Sequence, residues 1–223
     1  MVYVLSRSAD WSMIAAFAWI RFHRGSPLAC VGLAVLGLSL ASSPARAEEA
    51  SADEAVRLHA ELDPLTFANG GYGGQIGIRH PALHGVRLAI ASFSLHVPDL
   101  LSQVGGNDGF DLRVRPSGAV YALYYVRAAG EDGFAVGASL RYLRLRYEHD
   151  DVPGERADTS ELSPEAIIGY QWHPFDNGVY LQPWLALGVT VVRSGEPVVG
   201  DRRYDPLPVQ PFFTVNIGWE QRL

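Results

Sequence analysis

The C-terminal segment of the chain alternates between apolar and polar side chains with almost no errors. Every second residue from Val209 to Trp219 is apolar, and most of the residues between them are polar or small. The apolar positions are Val209, Pro211, Phe213, Val215, Ile217 and Trp219, and the other face carries Gln210, Thr214, Asn216, Gly218 and Glu220. A period of two is that of a β-strand whose faces meet different environments. Such a strand needs a sheet that separates an apolar from a polar side.

The N-terminal segment has the pattern of an export signal. Arg21, His23 and Arg24 form a basic region, Pro27–Leu40 is apolar, and Ala45–Ala47 has the small-x-small pattern of a cleavage site. The apolar run is shorter than the apolar stretch that a transmembrane helix normally needs. An uncleaved anchor helix is the alternative, and we favour a cleaved signal peptide.

Cleavage after residue 47 divides the chain into three parts. We predict a signal peptide over 1–47, a flexible lead-in over 48–55 and a β-barrel over 56–223. The remaining 223 − 47 = 176 residues suit one domain and eight membrane-crossing strands with their loops. No mature segment has the apolar length of a transmembrane helix, so a membrane-embedded chain would have to be a closed barrel.

The mature composition excludes several classes of site. The single cysteine, Cys30, lies in the predicted signal, so no disulfide framework or cysteine-ligated metal site is expected. Without the four arginines and one aspartate of residues 1–47, the chain has 14 basic and 23 acidic residues, a net charge of −9. This charge argues against nucleic acid as a partner. No histidine or carboxylate cluster has metal-site spacing and no glycine-rich loop has a nucleotide-binding context, so we expect no metal and no cofactor.

Alternation elsewhere predicts seven further strands. The eight segments lie at about 56–65, 72–79, 86–97, 111–126, 133–148, 161–173, 179–191 and 209–220. Connections at 80–85, 127–132 and 174–178 are short, and those at 98–109, 150–158 and 193–207 are longer and more polar. Alternating short and long connections are typical of barrels with periplasmic turns and extracellular loops. The pattern also predicts a bulge near Ala91 and a switch of faces after Tyr142 in the fifth strand.

Prolines and aromatic residues add two expectations about these strands. Pro116, Pro164, Pro183 and Pro211 lie within proposed strands and should occupy rims or bulges, because proline donates no ladder hydrogen bond. Aromatic residues concentrate near the short turns, as in an interfacial girdle; filling of a soluble core is the alternative. These aromatic residues are Tyr170, Trp172, Phe175, Tyr180, Trp184 and Trp219.

The mature chain resembles the small eight-stranded outer-membrane barrels of Gram-negative bacteria, the OmpA-, OmpX- and PagL-like class. The resemblance rests on architecture over the whole mature region. Leu62-Asp63-Pro64 followed by Gly71-Tyr72 is also similar to the start of an uncharacterised subgroup of barrel proteins. The resemblance implies an all-β, up-and-down antiparallel barrel in the outer membrane. It also implies contact with outer-membrane lipids and lipopolysaccharide, insertion by the barrel-assembly machinery and a monomeric state.

One serine and one histidine form a candidate catalytic pair. PagL-like lipid A deacylases use a His-x-Ser pair, and no mature histidine here is followed by serine two residues later. The reverse order occurs as Ser94-Leu95-His96, with Asp99 nearby. Residues two apart share a strand face, so Ser94 and His96 are the catalytic candidates. Their more ordinary interpretation is polar filling of the lumen, with Phe93, Leu95 and Val97 toward lipid.

Charged residues on three consecutive strands form the main predicted cluster. It comprises Asp111, Arg113, Arg115, Arg144, Arg146, Glu161 and Glu165, together with the adjacent Glu148. We expect these side chains to face the narrow lumen and plug it as ion pairs. A small polar pore and an arginine site for lipopolysaccharide phosphate are the alternatives.

These observations favour an integral outer-membrane barrel without enzymatic activity, with a structural or surface-interaction role. A lipid-modifying hydrolase is the first alternative, and a soluble periplasmic barrel that binds a small apolar ligand is the second.

Overall fold

Eight long strands close into one antiparallel barrel in the computed structural model, which describes residues 55–102, 106–127, 131–175 and 177–223. The predicted signal peptide over 1–47 and most of the lead-in over 48–55 lie outside the described residues. The strands are β1 Arg57–Leu62, β2 Tyr72–Arg79, β3 Val86–His96, β4 Phe110–Tyr125, β5 Gly133–His149, β6 Ala157–Gln171, β7 Val179–Gly188, β8 Val192–Ser194, β9 Val198–Val199, β10 Arg202–Arg203 and β11 Gln210–Arg222. The barrel consists of β1 to β7 and β11, each paired with the barrel strands before and after it. The predicted all-β, up-and-down barrel of eight strands is confirmed.

The first and last strands close the ring. β1 and β11 pair antiparallel from Arg57 opposite Arg222 to Leu62 opposite Ile217. Beyond this ladder, the Leu223 amide donates to the Val56 carbonyl at 2.9 Å. Every barrel strand therefore has a partner strand of the same chain on both sides, and the closed sheet presents no free edge.

The first strand ends earlier than its alternation predicts. Asp63 lies in extended conformation, and its carboxylate accepts from the Leu65 amide at 2.9 Å and the Thr66 amide at 3.3 Å. With Pro64 at the first helical position, this cap begins the short helix α1, Pro64–Ala68. A second short helix, α2, covers Asp99–Ser102, and a 3-10 turn covers Pro81–Leu83. In the described part of the chain, no helix is long and apolar enough to cross a membrane.

Each strand proline lies where one of its two ladders is interrupted or ends. Pro116 lies in the register shift between Arg115 and Gly118. The β6–β7 ladder runs over 165–169 and 184–188, so Pro164 and Pro183 fall just outside it. Pro211 pairs with β7 above the point where β1 stops. The prolines, which lack an amide hydrogen to donate, are thus placed where few ladder hydrogen bonds are lost.

The chemistry of the inner and outer faces changes along the barrel. Near the short turns the outer surface is apolar, whereas near the long loops it is charged and the inner face of β3 to β5 is apolar. β5 shows this most clearly, because its odd positions point inward from Gly133 to His149 without a break. The switch of faces predicted after Tyr142 does not occur. Leu143, Leu145 and Tyr147 therefore point inward, not outward.

A bulge in β4 at Pro116 shifts both of the ladders that this strand forms. Two residues of β4 stand opposite one residue of β3 in one ladder and opposite one residue of β5 in the other. The inward positions of β4 therefore change from even to odd numbers, with Val114 inside above the bulge and Ser117 inside below it. The bulge predicted near Ala91 in β3 does not occur, because the β3 ladders are regular at that residue.

Candidate functional site

A buried carboxylate, Glu61 on β1, organises the lumen near the short turns. Its oxygens accept from the Tyr180 hydroxyl at 2.6 Å and the Asn216 amide at 2.6 Å, and it forms an ion pair with Arg87. Gln75 also donates to it. Both charged side chains are almost fully buried. A buried carboxylate is tolerated when it is paired and hydrogen-bonded in this way.

Arg87 extends this network across the barrel. Its guanidinium donates to the Tyr180 hydroxyl at 3.0 Å and to the Gln182 side-chain oxygen at 3.1 Å. The Gln182 amide in turn donates to the Tyr125 hydroxyl at 3.1 Å. Because these residues come from opposite walls, their side chains fill the lumen at this level.

A second group of ionic contacts lies toward the long loops. Arg141 is 2.9 Å from Glu165, which also accepts from the Ser139 hydroxyl at 2.5 Å. Closer to the loops, Glu161 pairs with Arg193 at 2.7 Å. Thr190 and Gln210 also donate to Glu161, at 2.7 and 3.2 Å.

An aromatic group separates the two ionic levels. The Tyr121 and Trp184 rings meet edge to face at 5.7 Å, and Trp184 lies 5.5 Å from Phe212. The Arg141 guanidinium lies over the Phe212 ring at 5.6 Å. Tyr180 and Trp184 therefore fill the lumen and do not belong to the outer girdle that the sequence suggested.

An apolar cap closes the long-loop end. Tyr204, in the connection between β10 and β11, packs 5.4 Å from the Phe110 ring and 5.0 Å from the Tyr147 ring. Asn107 holds this connection, because its side chain donates to the Asp205 carbonyl at 2.9 Å and accepts from the Asp205 amide at 2.7 Å. Burial raises the pKa of the Tyr204 phenol, which favours its neutral form in the cap.

The predicted ionic cluster is divided between the two faces of the wall. Glu161 and Glu165 face the lumen as expected, where Arg193 and Arg141 pair with them. The other members lie on the outer face near the long loops: Asp111, Arg113, Arg115, Arg144 and Arg146. This correction follows from the unbroken alternation of β5 and from the Pro116 bulge in β4.

The catalytic candidates are not brought together. The Ser94 hydroxyl donates to the Val114 carbonyl at 2.9 Å. The His96 ring lies 2.5 Å from Asp111, with 45% of its side chain exposed. Phe93 and Leu95, which the sequence assigned to the lipid side, belong to the interior instead. The expectation that His96 faces the lumen is therefore wrong.

Sequence reasoning did not select Glu61 and Arg87 as site residues. Glu61 lies on the polar face of an alternating strand, and Arg87 lies at a polar position of β3 next to apolar neighbours. The alternation indicated their strand faces but not their pairing across strands that are not adjacent. Among the described residues, no group of three metal-ligating side chains is present.

The outer face of the wall carries a broad apolar groove of about 950 Å³ over β1 to β5. Most of its lining comes from outward side chains of these strands and of Trp219, with the small Ala60, Ala122 and Ala138 among larger residues. The larger ones are Leu58, Ile76, Ile78, Leu88, Ile90, Val120 and Leu140.

Solved structures to which the chain is similar include Neisserial surface protein A and a major outer membrane protein from Thermus thermophilus. Neisserial surface protein A is 15% identical, with 75% of this chain and 96% of that chain covered and a TM-score of 0.43. A major outer membrane protein from Thermus thermophilus is 13% identical, with 74% and 98% covered and a TM-score of 0.43. No protein-family model matches the chain, and no curated protein is significantly similar to it. Likeness at this level assigns no activity.

Proposed function

We propose that the chain is an integral outer-membrane protein with a filled lumen and a structural or surface-interaction role. The observation that carries this proposal is the polarity of the barrel, which is apolar outside and ionic inside over its short-turn half. A soluble barrel would have the opposite arrangement, because its outer surface would meet water.

The apolar outer surface forms a band around the barrel. Its exposed members come from every barrel strand and include Leu58, Ile76, Leu88, Ile90, Val120, Phe134, Leu140, Ile168, Leu185, Leu187, Phe213, Ile217 and Trp219. Exposed apolar area of this extent is rare on soluble monomers and common where lipid covers the surface.

Aromatic side chains mark the short-turn edge of the band. Phe134 and Tyr170 meet edge to face at 5.1 Å on the outer surface, and Trp172 and Trp219 are also exposed near this edge. Such residues prefer the boundary between acyl chains and headgroups. The charged outer residues near the long loops form the opposite boundary, which supports long loops outside and both described chain ends toward the periplasm.

A structural or surface role fits the filled lumen better than transport does. The two ionic levels, the aromatic group between them and the cap over Tyr147 all occupy space that a pore would need. Ser94 donates to main chain, so no observation in the described residues favours the hydrolase. The long loops are then the parts available to other surfaces.

Membrane fractionation with gel mobility tests the proposed location. We expect the full-length protein in the outer-membrane fraction, with faster migration before boiling than after it because a closed barrel stays compact in detergent. Recovery in the soluble periplasmic fraction would overturn the proposal, in favour of a ligand-binding barrel. A heat-insensitive band in the membrane fraction would also contradict a closed barrel.

A further inference from the structure

Two arginines on the outer face, on the long-loop side of the apolar groove, form no ion pair with a carboxylate of the described residues. Arg115 on β4 and Arg144 on β5 are directly opposite each other in the ladder. In the described residues, neither guanidinium forms an ion pair or hydrogen bond, although Arg115 attracts the Asp158 carboxylate at longer range. By contrast, Arg113 contacts Asp111 at 3.4 Å and Arg146 contacts Asp158 at 2.9 Å. Like charges directly opposite on neighbouring strands destabilise a sheet. An anion held between Arg115 and Arg144 would remove this cost.

The same two strands carry both the arginines and part of the groove. Val120 and Ala122 on β4 and Ala138 and Leu140 on β5 line the groove. Leu140 and Arg144 are four residues apart on one strand face, which corresponds to about 13 Å along the strand. The groove and the two arginines, Arg115 and Arg144, therefore lie along the same outer face of β4 and β5, with the arginines on the long-loop side.

Phosphate is the anion that suits this place. Arginine binds phosphate oxygens through a planar fork of donors, and such charge-assisted hydrogen bonds are strong where water is partly excluded. In the proposed orientation, this level is the headgroup boundary of the outer leaflet. A phosphorylated glycolipid of the lipid A type has the required combination of phosphate and several acyl chains.

We propose that β3 to β5 bind one lipid A molecule on their outer face, with a phosphate at Arg115 and Arg144 and acyl chains in the groove. The inference rests on the proposed outer-membrane location and adds a specific lipid partner to it. Arg113 and Arg146, already paired with carboxylates, form the outer edge of the site. The small side chains of Ala122 and Ala138 provide the depth that the chains occupy.

Native mass spectrometry of protein extracted from outer membranes in mild detergent tests the site. We expect the unmodified protein to retain one lipid A, and the double variant Arg115→Gln and Arg144→Gln to lose retention by about tenfold or more, since two charged hydrogen-bonding groups are removed. The matched control is Arg202→Gln with Arg203→Gln, which removes equal charge at the same end of the barrel, away from the groove. This control should retain lipid A unchanged.

A second variant pair tests the groove without changing charge. Ala122→Phe fills its floor, whereas Leu185→Phe places the same side chain on the outer face of β7, away from the groove lining. We expect reduced lipid A retention only for Ala122→Phe. Phenylalanine is favoured in β-strands, so both variant proteins should fold.

Several outcomes would overturn the lipid A proposal. They are the absence of lipid A from the unmodified protein, equal retention by the two arginine variants, equal retention by the two phenylalanine variants, and preference for phosphatidylglycerol or inorganic phosphate in competition. Heat-modifiable mobility of every variant reports barrel closure separately. A closed, membrane-inserted protein that retains no lipid A would contradict this inference while leaving the proposed function intact.

Discussion

Single residues in the lumen hold opposite walls of the barrel together. Glu61 accepts hydrogen bonds from Tyr180 and Asn216 and pairs with Arg87, so it connects β1 to β3, β7 and β11. Gly218 makes room for this arrangement, because a Cβ there would lie 2.2 Å from the Tyr180 ring. The lumen is therefore specified by particular contacts and not by polarity alone.

Removal of the Glu61 carboxylate should strongly destabilise the barrel. Glu61→Ala leaves Arg87 buried without its counter-charge, and we expect a loss of about 3–5 kcal/mol in the free energy of unfolding. Urea unfolding in lipid vesicles measures this change.

Two further variants control the Glu61 prediction. Glu148→Ala removes a half-buried carboxylate from the outer face, where we expect a change within about 0.5 kcal/mol. The pair Glu61→Leu with Arg87→Met removes both charges, and it should be clearly less harmful than Glu61→Ala alone. Equal losses for the single and double variants would show that the buried charge is not the cause.

Individual strands pass through two environments along their length. On β6, the outward residues Ile168 and Tyr170 belong to the apolar band, whereas Asp158 and Ser160 belong to the polar region near the loops. The inward residues of β5 change in the opposite sense, from polar at Ser139 and Arg141 to apolar at 143–147. These two strands therefore span the band and continue beyond it.

An arginine introduced on the outer face of β6 should reveal the edge of the band. Ile168→Arg places a charge within the apolar band and should cost about 2–4 kcal/mol in a bilayer, whereas Ser160→Arg on the same strand face should cost about 0–1 kcal/mol. The measurement is unfolding free energy in vesicles for both variants. Similar costs at the two positions would mean that the band does not lie in lipid.

The number of barrel strands, the alternation of most of them and the pairing of the chain ends could be predicted from sequence, but the short strands β8 to β10 around the predicted 193–207 loop were not. The outward faces of β11 and β6 follow directly from their period of two. The upper halves of β4 and β5 could not be assigned correctly, because apolar residues there were expected to face outward. Between the apolar band and the long loops, the apolar side chains of these strands face inward instead. The bulge at Pro116 also exchanges the two faces of β4.

The whole molecule is closed at successive levels. The Tyr204 cap covers the long-loop end, the Glu165 and Glu161 contacts lie beneath it, and the Glu61 network fills the short-turn half. Each level comes from a different set of side chains, so loss of one leaves the others in place.

Removal of the cap alone should not open the barrel. We expect no steady ion conductance in planar bilayers from the unmodified protein or from Asn107→Ala with Tyr204→Ala, because both ionic levels still fill the lumen. The variant should show faster proteolysis of the connection around Tyr204, which would demonstrate release of the cap. Conductance steps in the capless variant would contradict a lumen blocked by the lower networks.

The sequence by itself determined that this chain forms amphipathic strands, how many of them build the barrel and where most of these turn. The alternation of side chains between the two faces of a strand depends only on neighbouring residues, so it can be read directly from the sequence. Only the tertiary structure decided which face is inside near the long loops and which charges meet. Those outcomes depend on the β4 bulge and on the register between strands far apart in sequence, which bring Glu61 to Arg87 and Tyr180 and leave Arg115 opposite Arg144 on the outer wall.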